Sequence, residues 1–173
     1  MTVKMTMFAA AVAAVLSPLG LARAQEKDYG KRPDWSVTLP GGKKVSASDY
    51  DKKVVIVDFW ATWCPPCRKE IPGFIELQKK FKEKGLEIVG FSFDKDIDTH
   101  DKWIKEQGLN YLSIFAQNEQ GQAVIEKFSK QIGDIEGIPT TVVIDRAGKI
   151  VYKHVGYGSP EEFEKVIVPL LAK

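Results

Sequence analysis

The spacing of apolar and polar positions changes several times along this chain, and each change marks an element. Trp35-Ser36-Val37-Thr38-Leu39 alternates with the two-residue period of a half-buried strand. Pro40-Gly41-Gly42 then turns the chain and Lys43-Lys44-Val45 returns it, which predicts a hairpin. Ser46 to Lys52 reads as a short helical turn. Val54-Val55-Ile56-Val57 is an unbroken β-branched run extending to Phe59, the pattern of a strand covered on both faces. From Arg68 to Lys84 the period becomes helical through Ile71, Phe74, Ile75, Leu77 and Phe81, and Gly85 is its stop. A strand over Leu86 to Phe93, a helix over Ile97 to Gln107, a short strand over Tyr111 to Phe115 and a helix over Gly121 to Lys130 follow. Thr140 to Ile144 and Lys149 to Val155 flank Asp145-Arg146-Ala147-Gly148 as a second hairpin. Ser159-Pro160 then opens a last helix as N-cap and first helical residue.

Strands that alternate with helices and close on an antiparallel hairpin make an α/β domain with a mixed central sheet and helices on both faces. Nothing divides it internally, so residues 35–173 are read as one domain and the polar stretch Gln25 to Asp34 as a mobile entry segment. The first 24 residues differ in kind: Lys4, an apolar run from Met5 to Leu16, a break at Ser17-Pro18, and Ala22-Arg23-Ala24 before a polar stretch. They have the form of a secretory signal peptide cleaved after Ala24, since the apolar run is shorter than the ~20 residues of a membrane-spanning helix. A hydrophobic content of 44% and a charged content of 28% suit a globular domain with a real core. Losing Lys4 and Arg23 with the signal takes the formal charge from +2 to zero, so no nucleic-acid or anionic-membrane partner is expected. The mature chain is expected in the periplasm, without a membrane anchor.

The chemistry is concentrated in Trp63-Cys64-Pro65-Pro66-Cys67, which holds both cysteines of the chain. At a strand-to-helix junction the first sulfur meets the unpaired N–H groups of the helix start, which favour thiolate, the nucleophilic form. The second cysteine, one turn on, is placed to resolve a mixed disulfide on the first. A zinc site would need more ligands than His100 and His154 supply, so no metal or other cofactor is expected. A purely structural disulfide is the plainer alternative, but so short a loop removes little entropy from the unfolded chain. His100 and His154 are read as surface or partly packed side chains, and the acidic run Asp94, Asp96, Asp98 and Asp101 as a solvated loop.

Two segments, Val57-Asp58-Phe59-Trp60-Ala61-Thr62-Trp63-Cys64-Pro65-Pro66-Cys67 and Gly137-Ile138-Pro139-Thr140-Thr141, resemble the thioredoxin fold. The likeness is to its secreted TlpA- and ResA-like thiol-disulfide oxidoreductases, from about Trp35 to Leu171. The resemblance implies a thioredoxin-like fold with an N-terminal hairpin and the insertion of the TlpA and peroxiredoxin branch. It implies Cys64 as attacker and Cys67 as resolver, joined as a redox disulfide. It also implies a cis bond before Pro139, which read alone would be a trans proline opening an edge strand, and a bend at Pro72. Trp63, Pro65, Ile138 and Pro139 become the substrate-binding surface, with Trp60 and Trp63 packed around the thiols. Asp58 and Glu70 become catalytic proton acceptors; read alone they are an acid packed in a strand and a solvated helix residue. Gly90 stands where thioredoxin has a lysine beside the first of these acids. The implied activity is reduction of disulfides in exported protein substrates, for example before haem attachment to cytochrome c, with a membrane thiol-reductant relay protein as electron donor. Two other functions compete: a peroxiredoxin-like peroxidase, whose Pro-x-x-x-Thr-x-x-Cys signature is missing because Thr62 is one position out of place, and a non-catalytic binding domain.

Overall fold

The computed structural model describes residues 29–172; the expected signal peptide and Gln25 to Asp28 lie outside them. A five-stranded sheet in the order β5-β4-β3-β6-β7 forms the centre. β3 (Val54–Trp60) is the middle strand, parallel to β4 (Leu86–Ser92), which is parallel to β5 (Leu112–Phe115). β6 (Thr140–Ile144) and β7 (Ile150–Val155) extend the sheet antiparallel on the other side. Every residue of β3 is buried, which is why its sequence is an apolar run rather than an alternation.

Neighbouring residues on β3 divide between two cores. Val55, Val57 and Phe59 face α3 (Glu119–Ile132), through Val124 and Phe128, and a separate two-stranded sheet of β1 (Ser36–Thr38) and β2 (Lys44–Ser46), through Val37 and Val45. Val54 and Ile56 face α1 (Pro65–Phe81), through Phe74 and Leu77, and α4 (Pro160–Leu171), through Phe163 and Ile167. A third, smaller cluster joins Trp60, Cys64, Cys67 and Ile71 to Trp103 and Ile104 of α2 (Ile97–Gln107). The disulfide therefore caps the α1 side of the sheet at the C-terminal ends of the parallel strands, where α/β folds place their chemistry.

Several features depart from the sequence reading. α1 starts at Pro65 rather than Arg68, because prolines at the first two helical positions are preset for helix and lack N–H groups that would go unpaired there. α3 starts at Glu119, where the Asn118 side chain accepts from Gly121 N at 2.8 Å. The entry segment is held from Tyr29 onward: Arg32 N donates to Gly148 O at 2.8 Å and Ile150 N to Gly30 O at 2.9 Å, and the Arg32 guanidinium pairs with Asp51 at 2.6 Å. The C-terminal helix matches its expected start, with Ser159 and Glu162 forming a reciprocal capping box. Among the described residues no helix is long and apolar enough to cross a membrane.

His100, expected to be a surface or partly packed side chain, is 1% exposed. Its Nε2 lies 2.8 Å from Ser113 Oγ, which accepts from Trp60 Nε1 at 3.2 Å, and its Nδ1 lies 2.8 Å from Asp101 Oδ1. A helical period cannot show this, because the burial comes from the facing strand and from the Trp60 ring, 5.9 Å away.

Candidate active site

β3 ends at Trp60, and a short turn brings the chain to Cys64, the N-cap of α1. Cys64 and Cys67 are joined in a disulfide with their Cα atoms 5.3 Å apart. Cys67 N donates to Cys64 Sγ at 3.3 Å. The first sulfur thus sits at the helix start on the N–H of Cys67, Pro65 and Pro66 having none to offer, and the helix dipole stabilises a thiolate there after reduction. Exposure does not separate the two, at 2% for Cys64 and 1% for Cys67; the helix start does.

The second predicted segment comes to the same place. The Ile138–Pro139 bond is cis, and Ile138 O lies 3.6 Å from Cys64 Sγ. Thr140 Oγ1 donates to Gly137 O at 2.6 Å and Gly156 N to Pro139 O at 2.8 Å, fixing this loop against the end of the sheet. Trp60 packs beside the cysteines as expected, but Trp63 does not: its side chain is turned outward and the residue is 61% exposed. It stands between two surface hollows, one running to Asp96 and Thr99, the other to Ile135 and Ile138. Pro65 is exposed beside it, so Trp63, Pro65, Ile138 and Pro139 surround the sulfurs from two directions.

Both acids lie behind the disulfide. Asp58 is wholly buried on β3, and its nearest cross-strand neighbours are Gly90 on β4 and Thr141 on β6. No cation stands at position 90 to neutralise it. Burial, and then the charge of Glu70, push its carboxyl well above the usual carboxylate range. Glu70 is on α1, one turn after Cys67 and facing inward, at 2% exposure rather than solvated. Its Oε1 accepts from Gly158 N at 2.8 Å, a bond that holds its carboxyl down, yet burial dominates and lifts it to about 8. Neither oxygen of Asp58, nor Glu70 Oε2, has a hydrogen-bond partner among the described residues. Two desolvated carboxyls side by side hold a proton readily, which suits them to take one from a neighbouring thiol.

Several residues of the site carried no signal in the sequence. Asp94, read as part of a solvated run, is 2% exposed. Its carboxylate accepts from Thr62 N at 3.0 Å, from Thr62 Oγ1 at 2.6 Å and from Ser92 Oγ at 2.5 Å, clamping the turn before Cys64 to the end of β4. Gly158 lies in the loop between β7 and α4, and a Cβ there would come within 2.6 Å of the Phe163 ring. Tyr111, read only as the first residue of a strand, places its hydroxyl in the interior on the side of the two acids.

A helix-capping disulfide, a cis-proline loop against it and buried acids beneath define a thiol-disulfide oxidoreductase of thioredoxin-like fold. The chain belongs to the AhpC/TSA family, which residues 30–153 match. It is 34% identical over 146 residues to a thiol-disulfide oxidoreductase ResA of Bacillus cereus, covering 83% of this chain and 79% of that protein. Among solved structures it is similar to a thiol:disulfide interchange protein of the thioredoxin family from Chlorobium tepidum TLS. That structure superposes with a TM-score of 0.74 at 34% identity, covering 82% of this chain and 96% of the other. A second, a putative thiol:disulfide interchange protein DsbE from Chlorobium tepidum, superposes with a TM-score of 0.71 at 30% identity over 84% and 98% of the two chains.

Proposed function

We propose that this oxidoreductase works as a reductase of disulfides in exported proteins, in the periplasm, with Cys64 as attacker and Cys67 as resolver. Cys64 thiolate attacks one sulfur of a substrate disulfide; that bond breaks, a Cys64-substrate disulfide forms, and the other substrate sulfur leaves as thiolate and takes up a proton. Cys67 then gives its proton to the buried acid pair and attacks Cys64 Sγ; the Cys64–substrate bond breaks, and the second substrate sulfur leaves as thiolate and takes up a proton. The substrate leaves as dithiol, and the enzyme is left oxidised. A membrane thiol-reductant relay protein returns two electrons to it, and the disulfide of apocytochrome c, whose thiols must be free for haem attachment, is a fitting substrate. Trp63, Pro65, Ile138 and Pro139 form the docking surface, on which an extended substrate segment pairs with the backbone of Ile138.

The observation that carries this reading is the pairing of Cys67 N with Cys64 Sγ at the start of α1, with Glu70 buried one turn further along the same face. A peroxidase is less well supported. Thr62 gives both its N–H and its hydroxyl to Asp94, so neither is left for a peroxide at Cys64. Insulin reduction by the mature chain tests the proposal: Cys64→Ser brings the rate to background, and Cys67→Ser accumulates a mixed disulfide visible on a non-reducing gel. An unchanged rate in Cys64→Ser eliminates the thiol mechanism and leaves the binding-domain reading.

A further inference from the structure

A buried tyrosine stands beside the two acids in an unusual orientation. Tyr111 is partly exposed, yet its hydroxyl is sealed from solvent and has no hydrogen-bond partner among the described residues. Tyrosine ordinarily hides its ring and turns its hydroxyl to water; here the hydroxyl is sealed inside. The backbone dictates this placement. β5 pairs with β4 from Leu112 opposite Val89, so Tyr111, one residue earlier, falls alongside Ile88, whose own partner on β3 is Ile56. Tyr111 packs on the core formed by Ile56, Ile88 and Phe74, the face of the sheet that carries Asp58. Asn110 Nδ2 donates to Ile75 O at 2.9 Å and ties this segment to α1, the helix that carries Glu70.

The buried groups without partners on this face complement one another. Asp58 Oδ1 and Oδ2 and Glu70 Oε2 are acceptors when ionised; Tyr111 and Thr141 supply hydroxyl donors. Burial, with the charges of Asp58 and Glu70, pushes the Tyr111 phenol well above its usual range, so the phenol keeps its proton and remains a donor. The other titratable groups on this side are differently engaged. Tyr152 Oη and His154 Nδ1 of β7 lie 3.4 Å apart, Lys69 of α1 stands 4.3 Å over the Tyr157 ring, Glu87 of β4 is 3.4 Å from Gln78 Nε2, and Glu162 caps α4. None is a cation facing the acids.

We propose that Tyr111 is a positioning residue of the redox site: its buried hydroxyl, unpaired in the disulfide form, becomes a donor to the negative charge that Asp58 and Glu70 carry before they take the proton of Cys67 and again after they release it. The phenol does the work of a counter-charge at a site whose strand neighbour, Gly90, offers none. The proposal rests on reading Asp58 and Glu70 as the proton-handling acids.

The test uses the full mature chain and Tyr111→Phe, which removes one oxygen and keeps the ring. A donor to a carboxylate favours its charged form, so its loss moves carboxyl titration to higher pH. In ¹³C NMR titrations the acid pair of Tyr111→Phe titrates about one pH unit higher than in the parent, the size of a hydrogen bond to a charged group. The pH profile of insulin reduction moves the same way, with thermal stability kept. 3-Fluorotyrosine at position 111, a stronger donor that folds as tyrosine does, moves both to lower pH. Unaltered titrations in both variants overturn the proposal. The two readings fail differently: if Asp58→Asn and Glu70→Gln leave the rate profile unmoved, the acids do not handle the proton, while the NMR titration still reports whether Tyr111 bonds to them.

Discussion

Cys67 and Glu70 lie three residues apart on one helix and both face inward, while Asp58 approaches from the central strand. This gives each acid its own expected phenotype. Asp58→Asn removes the more deeply desolvated acceptor and lowers the rate of substrate release from the mixed disulfide by about 100-fold, within the range of general acid-base catalysis. Glu70→Gln keeps the bond to Gly158 N and lowers the same rate about tenfold, with Asp58 still able to accept. Single-turnover measurements on a trapped Cys64-substrate disulfide check both, and equal rates in parent and variants contradict the assignment. The pair was legible only through the resemblance, which places acids six residues before and six after the first cysteine; read alone, Asp58 was a packed strand acid and Glu70 a solvated helix residue. Tyr111, Asp94 and Gly158 were not legible, because their roles depend on which way a side chain turns or how near another strand comes. Neither is encoded in local periodicity.

At the scale of elements, the long core segments follow directly from spacing: β6 and α2 match their expected limits, Thr140–Ile144 and Ile97–Gln107. The ends that moved were set by caps and prolines, whose contribution is local and smaller than that of core burial. α1 and α4 cross at Gly73, where an added Cβ would press into the Pro160 ring. Gly73→Ala therefore destabilises the fold by about 1–3 kcal/mol through overpacking, despite alanine's better helix propensity, and urea unfolding measures it. Arg146 is a second joint: its guanidinium donates to Lys52 O at 2.8 Å, Lys84 O at 2.9 Å and Leu171 O at 3.1 Å, joining the starts of β3 and β4 to the end of α4. Arg146→Ala lowers stability by about 2 kcal/mol, from charge-assisted bonds partly replaced by water. Its place in a predicted turn gave no hint of this, since the three carbonyls come from distant parts of the chain.

For the whole molecule, the raised acids make stability depend on pH with a definite sign. Glu70 titrates near 4.5 when unfolded and near 8 when folded, so over that interval the folded chain holds a proton that the unfolded chain releases. The resulting stabilisation is complete below about 4.5 and is lost as pH rises through about 8; Asp58, also raised, acts in the same direction. The melting temperature of the oxidised protein accordingly falls by several degrees from pH 5 to pH 8.5, and the fall is shallower in Glu70→Gln. The fold explains how this chain exchanges a disulfide; the direction of exchange is set by the balance between its dithiol and disulfide states. The reduction potential of the Cys64–Cys67 couple, measured against glutathione buffers, therefore tests the reductase assignment most directly. A value of about −230 mV or lower, at or beyond the reducing end of glutaredoxin couples, is predicted; a value near about −120 mV, that of the strong oxidant DsbA, would contradict it.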